Sequence, residues 1–183
     1  MSVELPEEQR FNNIPMTLYC RKTLKEAGRK NAKYFFEPAK LSLEFFGKHF
    51  GLEYMFEKSD ILICPEYTIG AMEYPGAVTF SERYLPDSKA SKALIGTRAR
   101  TTMHEISHMW FGNTVCVEWW NDTWLKESFA DYVSYECCAQ TNSRLSYEVD
   151  DSWISFLARK TWGYSEDRQR TSHPIAAKVV STQ

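Results

Sequence analysis

The chain has no excess of charge of either sign: 22 Lys and Arg stand against 24 Asp and Glu, a formal net charge of −2. Proteins that bind nucleic acid through phosphate neutralisation need a clear surplus of cations, so that class is excluded. Long apolar runs are also missing. A stretch such as 61–64 is far short of the roughly 20 residues that cross a bilayer, so no membrane segment is expected. The N-terminus, MSVELPEEQR, is acidic and polar and lacks the basic start and apolar stretch of a secretory leader. Cysteine is sparse and unpatterned. Five residues, Cys20, Cys64, Cys116, Cys137 and Cys138, form no C-x-x-C pair. A disulfide framework and a thiolate metal cage are thereby disfavoured, and buried thiols in a reducing, cytoplasmic setting are expected.

What is present is material for a core. Hydrophobic residues make up 43% of the 183 positions and aromatics 15%, with six Trp, a composition that folds. No internal repeat or low-complexity segment interrupts it. The stretch Ile14–Cys20 alternates and reads as an extended strand, so residues 1–21 are taken as the end of a preceding β segment or a linker. Residues 39–50 place Leu41, Leu43, Phe45, Phe46 and Phe50 at helical spacing between Pro38 and Gly51. Asp60–Cys64 and Ala77–Phe80 are short β-like runs among turn residues, which predicts a small sheet.

After the polar stretch 87–92 the pattern becomes helical. Helices are expected over about 91–111, ended by Gly112 and Asn113, then over about 123–140 with Asn121 and Asp122 as caps, and over about 147–162. Trp124, Leu125, Phe129, Tyr132 and Val133 mark the apolar side of the second of these. Strands followed by helices predict an α+β layout, and the segment after Arg170 offers no closing element.

The string His104-Glu105-Ile106-Ser107-His108 carries the chemistry. Residues four apart on a helix lie about 40° apart and one turn up, so both imidazoles can reach a single ion. Glu105 sits too far round to ligate but is placed to meet a water on that ion. A third ligand that leaves one corner open is supplied by Glu127, nineteen residues beyond His108 on the following helix. One turn later, Asp131 is placed to accept a hydrogen bond from the far nitrogen of His104. One Zn2+ per chain is expected. His49 reads as a surface or packing residue, His173 as part of a turn, and Trp119 and Trp120 as packing beneath the zinc helices. Arg168 and Arg170 read as solvated.

With Glu127 inside Trp124-Leu125-Lys126-Glu127-Ser128-Phe129-Ala130, this pattern resembles the gluzincin zinc aminopeptidases. Upstream, Gly70-Ala71-Met72-Glu73-Tyr74 is similar to that family's Gly-x-Met-Glu-Asn exopeptidase loop. The resemblance covers roughly residues 14–178. It implies a thermolysin-like catalytic domain over 22–183, incomplete at its C-terminus. It also implies that Glu73 binds the α-amino group of the substrate and that the backbone of Gly70 and Ala71 holds the peptide as an added strand. Three departures from the family stand out. Tyr74 replaces Asn, Lys126 and Ser128 replace Asn and Gly, and the sequence stops before the Tyr that in the family hydrogen-bonds the tetrahedral intermediate.

The expected function is a zinc-dependent aminopeptidase acting on peptides with a free N-terminus, with a zinc-bound water as nucleophile and Glu105 as general base. The alternative is a truncated or split relative that binds zinc and serves as a scaffold or subunit beside a partner chain or the remainder of a longer protein. A thermolysin-like endopeptidase would share the zinc chemistry but leave Glu73 without a role.

Overall fold

In the computed structural model the described residues are 2–4, 10–86 and 90–180, with side chains described from residue 10 onward. Part of the polar stretch before the long helix, residues 87–89, lies outside them. Five short strands form one mixed sheet in the order β1-β2-β3-β5-β4. β1 (Ser2–Glu4) pairs antiparallel with β2 (Thr17–Tyr19), and β2 runs parallel to β3 (Asp60–Cys64). β3 is parallel to β5 (Ala77–Ser81), with Ile61 opposite Val78 and Ile63 opposite Phe80. β4 (Ala71–Met72) pairs antiparallel with β5 at the edge of the sheet. The small sheet is therefore present, but the strand expected over Ile14–Cys20 is only three residues long.

The helices are α1 (Lys25–Asn31), α2 (Lys33–Phe50), α3 (Lys92–Ser107), α4 (Thr123–Thr141) and α5 (Ser152–Asp167). α2 begins six residues before the expected start and takes Pro38 into its first two turns. Ser91 opens α3 as expected, its hydroxyl accepting from the Leu94 N–H. The expected cap of α4 is absent: the Asp122 side chain makes no capping bond, and Asn121 Oδ1 instead accepts from the Val179 N–H at 2.6 Å. α5 starts at Ser152, later than expected, because Asp151 accepts from the Ile154 N–H and fixes the first turn there.

The core lies between the sheet and α2, α3 and α4. Phe35 meets Phe80 edge to face at 5.4 Å, and Phe46 and Trp110 pack at 5.8 Å. Trp110 also donates from Nε1 to the Leu52 carbonyl at 2.6 Å. The buried side of α4 is Ala130, Val133, Ser134, Cys137 and Cys138, while Trp124, Leu125 and Tyr132 are exposed. Trp119 and Trp120 are exposed as well and do not pack beneath the site helices. Cys137 and Cys138 are buried free thiols, whereas Cys116 is exposed. Arg98 is fully buried on α3, donating to Asn31 Oδ1 at 3.0 Å and facing the Phe35 ring. Among the described residues no helix is long and apolar enough to cross a membrane.

Candidate metal centre

α3 ends four residues sooner than its pattern predicts. His104 and His108 thus occupy its last turn and C-cap rather than its middle. The cause is a tight return of the chain after the helix. Asn113 N–H bonds the His108 carbonyl at 2.9 Å, and Val115 N–H bonds the Trp110 carbonyl at 3.0 Å. Gly112 sits at φ +133°, a conformation open to glycine, and a Cβ there would come within 3.0 Å of His108 Nδ1. The return brings α4 back along α3, which places Glu127 opposite the two imidazoles.

The three expected ligands converge. His104 Nε2 and His108 Nε2 are 3.2 Å apart, and each lies 3.5 Å from Glu127 Oε2. Four donors held tetrahedrally at 2.0–2.1 Å from zinc are about 3.3 Å from one another, so this triangle fits the ion without rearrangement. His108 is fully buried, and its Nδ1 lies 3.1 Å from the Phe111 carbonyl oxygen. A carbonyl only accepts, so Nδ1 carries the proton and Nε2 presents its lone pair to the centre. Contact with the imidazoles of His104 and His108 holds the Glu127 carboxyl far below the usual carboxylate range, with Lys126 assisting.

Asp131 reaches its expected neighbourhood but not the expected bond. Its Oδ1 is 4.0 Å from His104 Nδ1, a buried atom without a hydrogen-bond partner, and its other oxygen faces Arg159 at 3.4 Å. Glu127 is half exposed.

Glu105, the residue after the first histidine, is buried at 6% exposure. Burial pushes its carboxyl up to about 7, against the lowering influence of His104. One ligand atom each from Glu73, Glu105 and His108 falls within 4.8 Å of the others. Glu73 is 7% exposed, a buried acid. It follows the edge strand β4, and its carbonyl accepts from Asn113 Nδ2 at 2.6 Å. Burial works to raise its carboxyl, but the hydrogen bond from Lys126 and the charge of His108 outweigh that and hold it below the ordinary value.

Gly70 precedes β4, its carbonyl accepting from the Ser81 N–H at 2.9 Å. A Cβ at Gly70 would meet an Arg83 guanidinium nitrogen at 2.9 Å, an approach that the flexible Arg83 side chain can relieve by shifting. Gly70, Ala71, Arg83, Arg100, His104 and Glu105 line one cavity of about 390 Å³ beside the centre.

Two residues of the site were not legible as such. Lys126, noticed only as a replacement for Asn, donates to Glu73 Oε1 and lies 3.0 Å from Glu127 Oε1. Asn113, read as a helix stop, ties the α3–α4 return to the Glu73 backbone. The signal for Lys126 was its place directly before the ligand Glu127; none marked Asn113. His49 stacks on Phe45 at the surface, and His173 bonds locally to the Pro174 carbonyl, both as expected. Arg168 and Arg170 are exposed.

Residues 34–183 match the Peptidase family M1 domain. The chain is 39% identical over 180 residues to aminopeptidase N of Streptomyces lividans, covering 97% of this chain and 20% of that protein. It is 34% identical over 172 residues to tricorn protease-interacting factor F2 of Thermoplasma acidophilum (93% and 21%). It is 33% identical over 175 residues to aminopeptidase M1 of Arabidopsis thaliana (94% and 19%). The chain thus spans about a fifth of the length of these relatives. On the extent of the domain match and these identities, the chain belongs to peptidase family M1.

Proposed function

We propose that this chain carries the centre of a zinc-dependent aminopeptidase that removes N-terminal residues from peptides. The observation that supports it most is the triangle of His104 Nε2, His108 Nε2 and Glu127 Oε2, whose 3.2–3.5 Å edges suit one tetrahedral ion. Zinc held there would supply a Lewis acid for a water nucleophile and a peptide carbonyl.

The roles of the chain's own residues follow from their places. Glu105, buried beside the ligands, takes a proton on its carboxylate and returns it to the leaving amine. Glu73, one of three groups clustered with Glu105 and His108, offers a buried carboxylate to the substrate's α-ammonium. A free N-terminal ammonium can pair there, whereas a blocked N-terminus brings no cation to the acid. β4 is the edge of the sheet, and the backbone at Gly70 and Ala71 beside it suits an extended peptide added as a further strand. Asp131, 4.0 Å from His104 Nδ1, would orient that imidazole on closing to hydrogen-bond distance. In this reading residues 22–183 belong to a thermolysin-like catalytic domain and 1–21 lead into it. The free thiols Cys64, Cys116, Cys137 and Cys138 suit a cytoplasmic setting.

The test is Glu105→Gln in the intact protein, with zinc content measured alongside hydrolysis of an aminoacyl arylamide. Zinc near one per chain and a rate loss of about 10²–10⁴ are expected. Undiminished hydrolysis, or a protein that takes up no zinc, defeats the reading.

A further inference from the structure

The carboxylate proposed to seat the substrate's ammonium already holds one. Lys126 Nζ donates to Glu73 Oε1 and lies 3.0 Å from Glu127 Oε1, so a single side chain bridges the candidate anchor and the candidate metal ligand. The three groups differ in freedom. The Glu73 side chain is 9% exposed and its carbonyl is fixed by Asn113, whereas the Lys126 side chain is 23% exposed on a flexible stem. Lys126 also lines a groove of about 370 Å³ with Gly112, Cys116, Val117, Glu118 and Trp120. Glu118, exposed, places a further carboxylate in the same groove.

We propose that Lys126 is a resident counter-cation on Glu73 which the substrate's α-ammonium must displace, making it a specificity-determining residue of this site. The proposal rests on the reading of Glu73 as the ammonium anchor. Left bare, a buried carboxylate beside Glu105 and Glu127 would be costly, and Lys126 removes that cost in the empty site. Binding then exchanges one ammonium for another. The affinity contributed by the substrate's N-terminus is the difference between two similar ion pairs, not the whole of one. A ligand gains most when its own chain can also occupy the space that Lys126 vacates as it turns into the groove. Lys126 therefore raises KM for small free amines and favours substrates with further contacts.

The test compares Lys126→Met, Lys126→Gln and Lys126→Arg with Glu73→Gln and the double variant Lys126→Met/Glu73→Gln. KM and kcat are measured on an aminoacyl arylamide. Binding of leucinamide to the metal-free protein is followed by calorimetry, a readout that does not depend on zinc or turnover. Losing one partly exposed ion pair predicts that Lys126→Met and Lys126→Gln lower KM and the leucinamide Kd by roughly fivefold. The change falls on KM rather than kcat. Lys126→Arg, which can still bridge, stays near the parent. On the Glu73→Gln background the Lys126→Met effect should vanish, as a double-mutant cycle requires of a direct pair. If Glu73→Gln weakens leucinamide but removing the Lys126 charge does not tighten it, the displacement idea is overturned while the anchor reading stands. If Lys126→Met tightens binding equally with and without Glu73, the effect is general electrostatics and the proposal also fails. If Glu73→Gln changes neither KM nor Kd, the anchor reading itself falls and takes this inference with it.

Discussion

His108 Nδ1 lies 3.1 Å from the Phe111 carbonyl oxygen, three residues ahead on the return that follows α3. That single contact orients the ring, fixes the proton on Nδ1 and turns Nε2 toward His104 and Glu127. The chain segment that ends the helix is therefore also the segment that prepares the ligand.

Gly112→Ala tests it. The residue sits at φ +133°, and a methyl group there would approach His108 Nδ1 to 3.0 Å and the His108 carbonyl to 3.5 Å. A loss of about 1–3 kcal/mol in stability is expected from the strained backbone. Displacement of the imidazole should weaken metal binding by about tenfold or more. Thermal melting of the metal-free protein and a zinc titration read the two effects separately. A variant unchanged in both would show that the return does not position His108.

Away from the centre, Glu44 on α2 accepts from Arg144 at 2.7 Å and from Lys48 at 2.9 Å. The hydrogen bond from Arg144, then that from Lys48, holds its carboxyl down at about 2, against an ordinary 4.5. Because the folded value is the lower one, the stabilisation is complete above the ordinary value and disappears as the pH falls toward the folded one. The Arg144 side chain is half exposed, so solvent screening limits the pair to about 1 kcal/mol. Urea unfolding should find Glu44→Gln less stable by about that amount near neutral pH, the gap narrowing below roughly pH 4. A gap that widens on acidification would contradict the assigned partners.

Phe80 on β5 is fully buried and packs on both Phe35 and Tyr84 at 5.4 Å. Phe80→Ala leaves a cavity between the sheet and α2 and should cost about 3–5 kcal/mol in chemical denaturation. Since β5 also pairs with β4, which leads into Glu73, the same variant should raise KM for the substrate. A stability loss under about 1 kcal/mol would mean that this contact is not part of a close-packed core.

Much of this could be anticipated from residue order. The i,i+4 histidines, Glu127 on the next helix and the strands at 60–64 and 77–81 all stand where spacing and alternation put them, because helical and β periodicity are local properties. Other features escaped that reasoning. The end of α3 was misjudged because residues 108–111 look helical in isolation, whereas long-range bonds from Asn113 and Val115 close the chain into a return. The exposed Trp119 and Trp120 misled for a similar reason, since apolarity alone does not say which face finds a partner.

Order along the chain was enough to name the candidate metal ligands and the acid beside them, since chemistry of that kind needs particular side chains at particular intervals. Only the tertiary structure decided that β2, β3 and β5 would run parallel and that Glu73 would be buried against Glu105. It alone decided, too, that the lysine before Glu127 would reach across to Glu73. Those contacts join residues as far as 53 positions apart, and pairings at such separations depend on how the whole core packs rather than on any local pattern.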